Sequence, residues 1–254
     1  MTQIDLNADA GEAFGHWQLT NEAALFPSLT SVNLACGFHA GDPLTMQRSV
    51  ALAKSLGVAV GAHPGFPDKV GFGRRDMALS SDELYADVLY QLGALHAFLC
   101  LQHMPLHHVK PHGSLYLKMM RDEMTARAVA QAVGDFDAKL PLVILGGPGG
   151  QTMLEQAAHV GVVTVTEAFP DRAYLANGQL APRSYEGAVL DDPSAVAERA
   201  VAMASGQPFA ALDGGEVSVQ AETFCIHGDH PNSAQTAQAV RRALEDAGIQ
   251  VKAF

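Results

Sequence analysis

Histidines, carboxylates and a few cations fall in short clusters along this chain rather than singly. Asp5-Leu6-Asn7-Ala8-Asp9-Ala10-Gly11-Glu12 places four oxygen-bearing side chains in eight residues. Asn33, His39 and Asp42 follow, then His63, the Arg74-Arg75 pair, Lys110 with His112, Glu167 with Asp171 and Arg172, and His227-Gly228-Asp229. These residue types suit hydrolysis. A carboxylate activates water, an imidazole returns a proton to the leaving group, and a fixed cation stabilises an oxyanion or a phosphate. Asp9 and Glu12 are the candidate bases, and His63, His112 and His227 the candidate acids. Lys110 and Arg172 are the candidate anion stabilisers. Lys110 lies two residues before His112, on one face of a strand end, where a buried lysine is costly unless it serves a ligand or a partner.

Elements of one recurring kind must position these clusters, because each follows an apolar run and most precede a helix start. Val32–Ala35 reads as a strand that opens through two glycines into Asp42, an N-cap, and Pro43, a first helical residue. Ile4–Asn7, Val58–Ala62, Leu106–Lys110, Leu142–Leu145, Val162–Val165 and Thr223–Ile226 read as further strands of the buried, parallel type. Ser80-Ser81-Asp82-Glu83 is a capping box ahead of a stripe at Leu84, Val88, Leu92, Leu95 and Leu99. Asp122 and Asp192 mark later helix starts, and Gly57, Gly206 and Gly248 mark helix ends. Asn177-Gly178 and the alternation from Leu180 to Val189 suggest a hairpin excursion. About seven apolar strands, most followed by helices, imply a parallel sheet with right-handed crossovers. An open doubly wound sheet would gather polar exits at one switch point. Here nearly every strand has one, which favours a closed α/β architecture, a (β/α) barrel with all exits on one face. The expectation is a single domain over residues 1–254.

The net charge of −11 argues against nucleic acid and anionic membrane surfaces as partners. Cys36, Cys100 and Cys225 lie far apart and fit buried thiols of a reduced, cytoplasmic protein better than a disulfide framework. No signal peptide is expected at the N-terminus, and no apolar run is read as long enough to span a membrane. Gly146-Gly147-Pro148-Gly149-Gly150 offers backbone N–H groups to an anion, but neither a Walker A loop nor a GxGxxG fingerprint occurs. Asp9, His39 and His63 are conceivable ligands of a divalent ion in a deacetylase-like hydrolase. The motifs lack a close histidine pair on one helix or loop, and Pro105 breaks the spacing of His103 and His107. No metal ligand is therefore assigned.

The motifs Asp5-Leu6-Asn7-x-Asp9-x-Gly11-Glu12, Asn33-x-Ala35-Cys36-Gly37-Phe38-His39-Ala40-Gly41-Asp42-Pro43, Gly61-Ala62-His63-Pro64, Gly71-Phe72-Gly73-Arg74-Arg75, Val109-Lys110-Pro111-His112-Gly113-x-Leu115-Tyr116, Asp171-Arg172-x-Tyr174 and His227-Gly228-Asp229 together resemble the LamB/YcsF family. They run in order over nearly the whole chain. Departures are Ala8, Pro170, the Ser114-Leu115-Tyr116-Leu117 run and His230, none at a charged motif residue. The resemblance implies a distorted seven-stranded (β/α) barrel of the glycoside hydrolase/deacetylase type. It implies cleavage of 5-oxo-L-proline to L-glutamate with ATP hydrolysis, in company with two further subunits, B and C. For that reaction the residues expected to be catalytic are Asp9, Glu12, His63, Lys110, His112 and His227, and those expected to contact substrate are Asn7, Asn33, His39, Arg74, Arg172 and Asp229. The alternatives are a metal-dependent deacetylase-like hydrolase and a non-catalytic binding subunit.

Overall fold

Parallel β-strands joined by helices build the chain. A computed structural model describes residues 3–17, 19–228 and 232–254. In chain order the elements are β1 (Gln3–Ala10), α1 (Glu22–Leu25), β2 (Ser31–Ala35), α2 (Pro43–Leu56), β3 (Ala59–His63), α3 (Ser81–Leu101), α4 (Gly113–Met119), α5 (Glu123–Phe136), β4 (Leu142–Leu145), α6 (Gln151–Val160), β5 (Thr164–Ala168), α7 (Pro193–Ala204), β6 (Phe209–Ala210), β7 (Glu216–Val217), β8 (Thr223–Ile226), α8 (Ser233–Asp246) and β9 (Gln250–Val251). The main sheet runs β3-β2-β1-β8-β5-β4, all parallel, with β9 beside the start of β1.

The two edges of this sheet are joined by residues 107–110. Val109 bridges Ala62 on one side and Leu142 on the other. His107 and Lys110 donate their N–H groups to Val60 and Ala62, and Val143 donates to Val109. The ring therefore closes as a distorted barrel of seven staves, as the polar exits suggested. The Leu106–Lys110 strand expected from sequence is reduced to single bridges, because Pro105 and Pro111 interrupt the ladder on both sides.

Local chemistry starts and stops the helices as read. Asp42 accepts from the N–H groups of Leu44 and Thr45, Ser80 and Glu83 form a reciprocal capping box, and Gly57 ends α2 at φ +69°. α3 spans 21 residues with a mean hydropathy of 1.4, long and apolar enough by length and composition to cross a membrane, against the expectation that no run reached that length. Its stripe Leu84, Val88, Leu92, Leu95 and Leu99 is buried, and the helix packs on α5 and β3. That is the behaviour of a core helix. Gln91 of α3 exchanges hydrogen bonds with the backbone of Gly65 (2.9 and 3.1 Å) and so pins the loop after β3. The largest shifts of strand boundary from the sequence expectation are at β1 and β5. β1 runs on to Ala10, and β5 begins at Thr164 and includes Glu167, so Asp9 and Glu167 sit inside the ladder rather than beyond it.

Candidate active site

The inner face of the barrel carries polar residues at every second position. Along β1 these are Asp5, Asn7 and Asp9, and along β8 Thr223 and Cys225, with His227 just beyond. At the amino end Asp5 accepts hydrogen bonds from the hydroxyls of Thr30, Ser31 and Thr223. Burial nevertheless raises its pKa. The next layer is an amide network. Asn7 donates to Thr223 (2.6 Å) and Glu167 (3.2 Å), and Asn33 donates to Asn7 (2.7 Å) and to Asp9 (2.9 Å). His108 reaches the Asn33 carbonyl oxygen through Nε2 at 2.6 Å. Asn7 and Asn33, expected to touch substrate, are thus fully engaged beneath the mouth.

Above this layer Lys110 Nζ lies 2.9 Å from Asp9 Oδ1, 3.0 Å from Glu167 Oε1 and 3.0 Å from Cys225 Sγ. Burial works against the ammonium, but Asp9, Cys225 and Glu167 together hold its pKa well above the usual lysine value. Burial alone would raise Asp9, yet His63 and Lys110 hold it well below the ordinary carboxylate range. Glu167 goes the other way, because its burial outweighs the attraction of Lys110. Asp9 is also the opening of this cluster: its side chain is 17% exposed, against 3% for Lys110 and 0% for Glu167.

His63 continues the path outward. Its Nε2 lies 3.2 Å from Asp9 Oδ2, and its Nδ1 donates to the Lys110 carbonyl at 2.6 Å. His112 places Nδ1 3.0 Å from His63 Nε2 and donates Nε2–H to the Phe72 carbonyl at 2.8 Å. Phe72 adopts φ +55°, a costly conformation for a non-glycine residue, and its carbonyl is the one that fixes His112. Burial, then the neighbouring His63, lowers the pKa of His112 to about 3. His39 stacks on His112, with centroids 3.7 Å apart and planes 2° from parallel, and burial holds it well below the usual histidine range. Glu12 Oε1 lies 3.5 Å from His39 Nε2 and 3.6 Å from His112 Nδ1. Gly65 and Gly73 make room here: a Cβ on either would come within 2.6 or 2.7 Å of His39. Glu12, His39, His63 and His112 each present one ligand-type atom within 4.8 Å of the others.

His227 lies to one side, on the stave next to β1. Its Nδ1 and backbone N–H both contact Asp171 Oδ2, at 2.7 and 2.9 Å, and its ring stacks on Phe169. Burial alone would raise Asp171, and His227 holds it below the ordinary range. The β1–β8 register pairs Asn7 with Cys225, so Asp9 and His227 stand at the same level of the barrel.

The remaining candidates are placed differently. Arg172 gives its guanidinium to the Ala181 and Ala188 carbonyls (2.6 and 3.2 Å), tying down the excursion between β5 and α7. Arg74 lies over the Phe72 ring at 5.1 Å, and Arg75 is paired with Asp68. Asp229 lies outside the described residues. Glu167, Asp171, His108 and Cys225 belong to the constellation but were not singled out as site residues. Their signal is the two-residue alternation of β5, β8 and the 107–110 stave, which aims them at the same interior as Asp9.

A parallel α/β barrel with imidazoles and carboxylates converging at the carboxyl ends of its strands is the architecture of a barrel enzyme. More narrowly, the chain belongs to the LamB/YcsF family, which it matches over residues 4–254. It is 59% identical over 252 residues to the A subunit of 5-oxoprolinase from Thermus thermophilus, covering 99% of this chain and 100% of that one. It is 48% identical over 245 residues to the A subunit of 5-oxoprolinase from Deinococcus radiodurans, covering 96% and 95%. The crystal structure of a lactam utilization protein, also from Thermus thermophilus, superposes with a TM-score of 0.94 at 57% identity, covering 99% of this chain and 100% of that one.

Proposed function

We propose that this chain is the A subunit of an ATP-dependent 5-oxoprolinase. In that reading it opens the lactam of 5-oxo-L-proline to give L-glutamate, in a complex with subunits B and C. Full-length relatives with that name support the reading, as does the lactam named for the solved homologue. They favour it over the deacetylase-like alternative.

A lactam carbonyl is a poor electrophile and its nitrogen a poor leaving group. Transfer of the γ-phosphoryl group of ATP to the lactam oxygen, with loss of ADP, answers the first difficulty. Water then adds to the carbonyl carbon, and the C–N bond breaks as the nitrogen takes a proton. This leaves an acyl phosphate, which a second water cleaves to glutamate and phosphate. We assign phosphoryl transfer to the partners, since no phosphate loop is found in this sequence, and ring opening to this barrel.

The group around Asp9 serves the water. Asp9 is a weak base, because His63 and Lys110 stabilise its carboxylate. It therefore suits holding and orienting the water better than deprotonating it. His227 serves the nitrogen. Asp171 fixes its Nδ1, which leaves Nε2 as the proton-transfer atom at the level of Asp9. Lys110 stabilises negative charge that develops beside Asp9.

The observation that carries this reading is Asp9, the opened end of an otherwise buried charged cluster. The test assays the chain alone and with its partner subunits for 5-oxoproline-dependent glutamate formation. Glutamate is expected only in the complex, and Asp9→Asn is expected to lower turnover by roughly a hundredfold or more. Undiminished turnover by that variant would make the chain a non-catalytic binding subunit.

A further inference from the structure

His63 and His112 come from different strand ends, yet each commits one ring N–H to a backbone carbonyl: His63 Nδ1 to Lys110 at 2.6 Å and His112 Nε2 to Phe72 at 2.8 Å. A carbonyl can only accept, so unless a further proton or cation is bound the other nitrogen of each ring presents a lone pair. Those two nitrogens face each other at 3.0 Å. Lone pairs at that distance repel unless they share a positive centre. Carboxylate oxygens flank the pair, with Asp9 Oδ2 3.2 Å from His63 Nε2 and Glu12 Oε1 3.6 Å from His112 Nδ1. Asp9 divides its oxygens: Oδ1 takes Lys110 and Asn33, and Oδ2 faces the histidines.

We propose that Asp9, Glu12, His63 and His112 form a binding site for one first-row divalent cation of the zinc type. Two imidazoles and two carboxylates are a suitable donor set for such an ion. Ligand atoms about 2.1 Å from a tetrahedral ion stand about 3.4 Å from one another. The contacts of 3.2, 3.0 and 3.6 Å along Asp9–His63–His112–Glu12 bracket that spacing. Carbonyl anchors on the non-ligating nitrogens are how metal-binding histidines are usually oriented. His39 is within reach, and among the described residues both its buried ring nitrogens lack hydrogen-bond partners. Its ring is parallel to His112 at 3.7 Å, however, so an ion in the plane of one ring lies well outside the plane of the other. His39 is therefore a wall that holds His112 in its plane, and not a ligand.

The role of the ion rests on the hydrolytic reading above, whereas its binding does not. With four protein donors in place water enters only as a fifth ligand, and the cation acidifies the water it holds.

The test uses the full-length chain, stripped with a chelator and titrated with zinc chloride by calorimetry. Metal analysis after dialysis gives the stoichiometry. One zinc per chain is expected, and cobalt in its place should give the visible absorption of a four-coordinate site. His63→Ala and His112→Ala should weaken zinc binding by about a hundredfold or more, whereas His39→Phe should leave it nearly unchanged. Glu12→Gln and Asp9→Asn keep shape, and if the alanine variants do not fold they carry the same comparison. Failure to retain zinc would show that the histidines share only a proton, and would overturn the proposal. So would zinc affinity indifferent to all four ligand substitutions, or lost in His39→Phe. Turnover is not read in this experiment, so absence of binding leaves the lactam-opening assignment standing. Binding without glutamate formation in the complex would strike that assignment alone.

Discussion

Lys110 is held by three acceptors, and two of them are carboxylates whose environments differ. Asp9 opens to the mouth and is strongly stabilised as an anion, while Glu167 is fully buried and has a raised pKa. Removing the ammonium strands both. Lys110→Met keeps the stem and should cost about 3–5 kcal/mol at neutral pH, the usual penalty for leaving a buried charge unpaired. The deficit should depend on pH, with a sign that identifies Glu167. Without Lys110 the folded-state pKa of Glu167 rises further above its unfolded value of about 4.3. The folded variant then keeps a proton that the unfolded chain has lost, so its stability falls as pH rises through that window. Urea unfolding at pH 5 and pH 8 should show the variant closer to wild type at pH 5. The Lys110→Met/Glu167→Gln double variant should recover much of the loss at pH 8. A deficit equal at both pH values would mean that Lys110 acts on stability through packing and not through Glu167.

β3 shows how an element is shaped by what it must pass. Its Gly61 faces the barrel interior, and a Cβ there would collide with the His108 imidazole. Gly61→Ala should destabilise by about 1–3 kcal/mol, as overpacking does. Gly61→Ala/His108→Ala should recover part of that loss in thermal unfolding, because the second change vacates the contested space. Equal costs with and without His108 would place the strain in the backbone instead. Elements whose signals are local were legible in the sequence: Asp42, Ser80 with Glu83, Asp122 and Asp192 cap the helices they were read to cap. The strand at Val162–Val165 was displaced toward Ala168, because an apolar run reports burial while the ladder depends on distant partners in β4 and β8. α4 was missed for the opposite reason. Pro111 and Gly113 disfavour a helix locally, but Gly113 at φ +52° is where the helix turns in. The ion-type cluster was invisible to a search for closely spaced histidines. Its donors come from β1 and its exit, from β3 and from the end of the 107–110 stave, which only closure of the barrel brings together.

At the scale of the whole molecule, the barrel encloses imidazoles that are kept neutral by its interior. His39, His108 and His112 are all held below the usual histidine value, first by burial and then by positively charged or imidazole neighbours; for His112 the value is about 3. In the unfolded chain each titrates near 6.5. Between pH 6.5 and the lower folded values the unfolded state therefore binds up to three more protons than the folded one. Stability rises with pH wherever the unfolded state binds more protons, so it is lost on acidification. The slope can approach about 4 kcal/mol per pH unit, three times the single-proton value. The raised carboxylates Asp5 and Glu167 oppose this, since they bind protons more readily when folded. Their unfolded values lie near 4 and their folded values above that, so between the two they offset part of the histidine slope. Three imidazoles against two carboxylates leave a net loss of stability from pH 6.5 to 5. Urea unfolding of chelator-treated protein at pH 7.5, 6 and 5 should show stability falling steadily, well above the range of ordinary carboxylate titration. His108 touches none of the four proposed cation ligands through its Nε2 contact, which goes to Asn33. His108→Gln should therefore flatten the slope by about a third while leaving zinc affinity close to wild type. Stability that stayed level from pH 7.5 to 5 would mean that the interior accepts protons as readily as water does, and the buried neutral imidazoles would have to be abandoned.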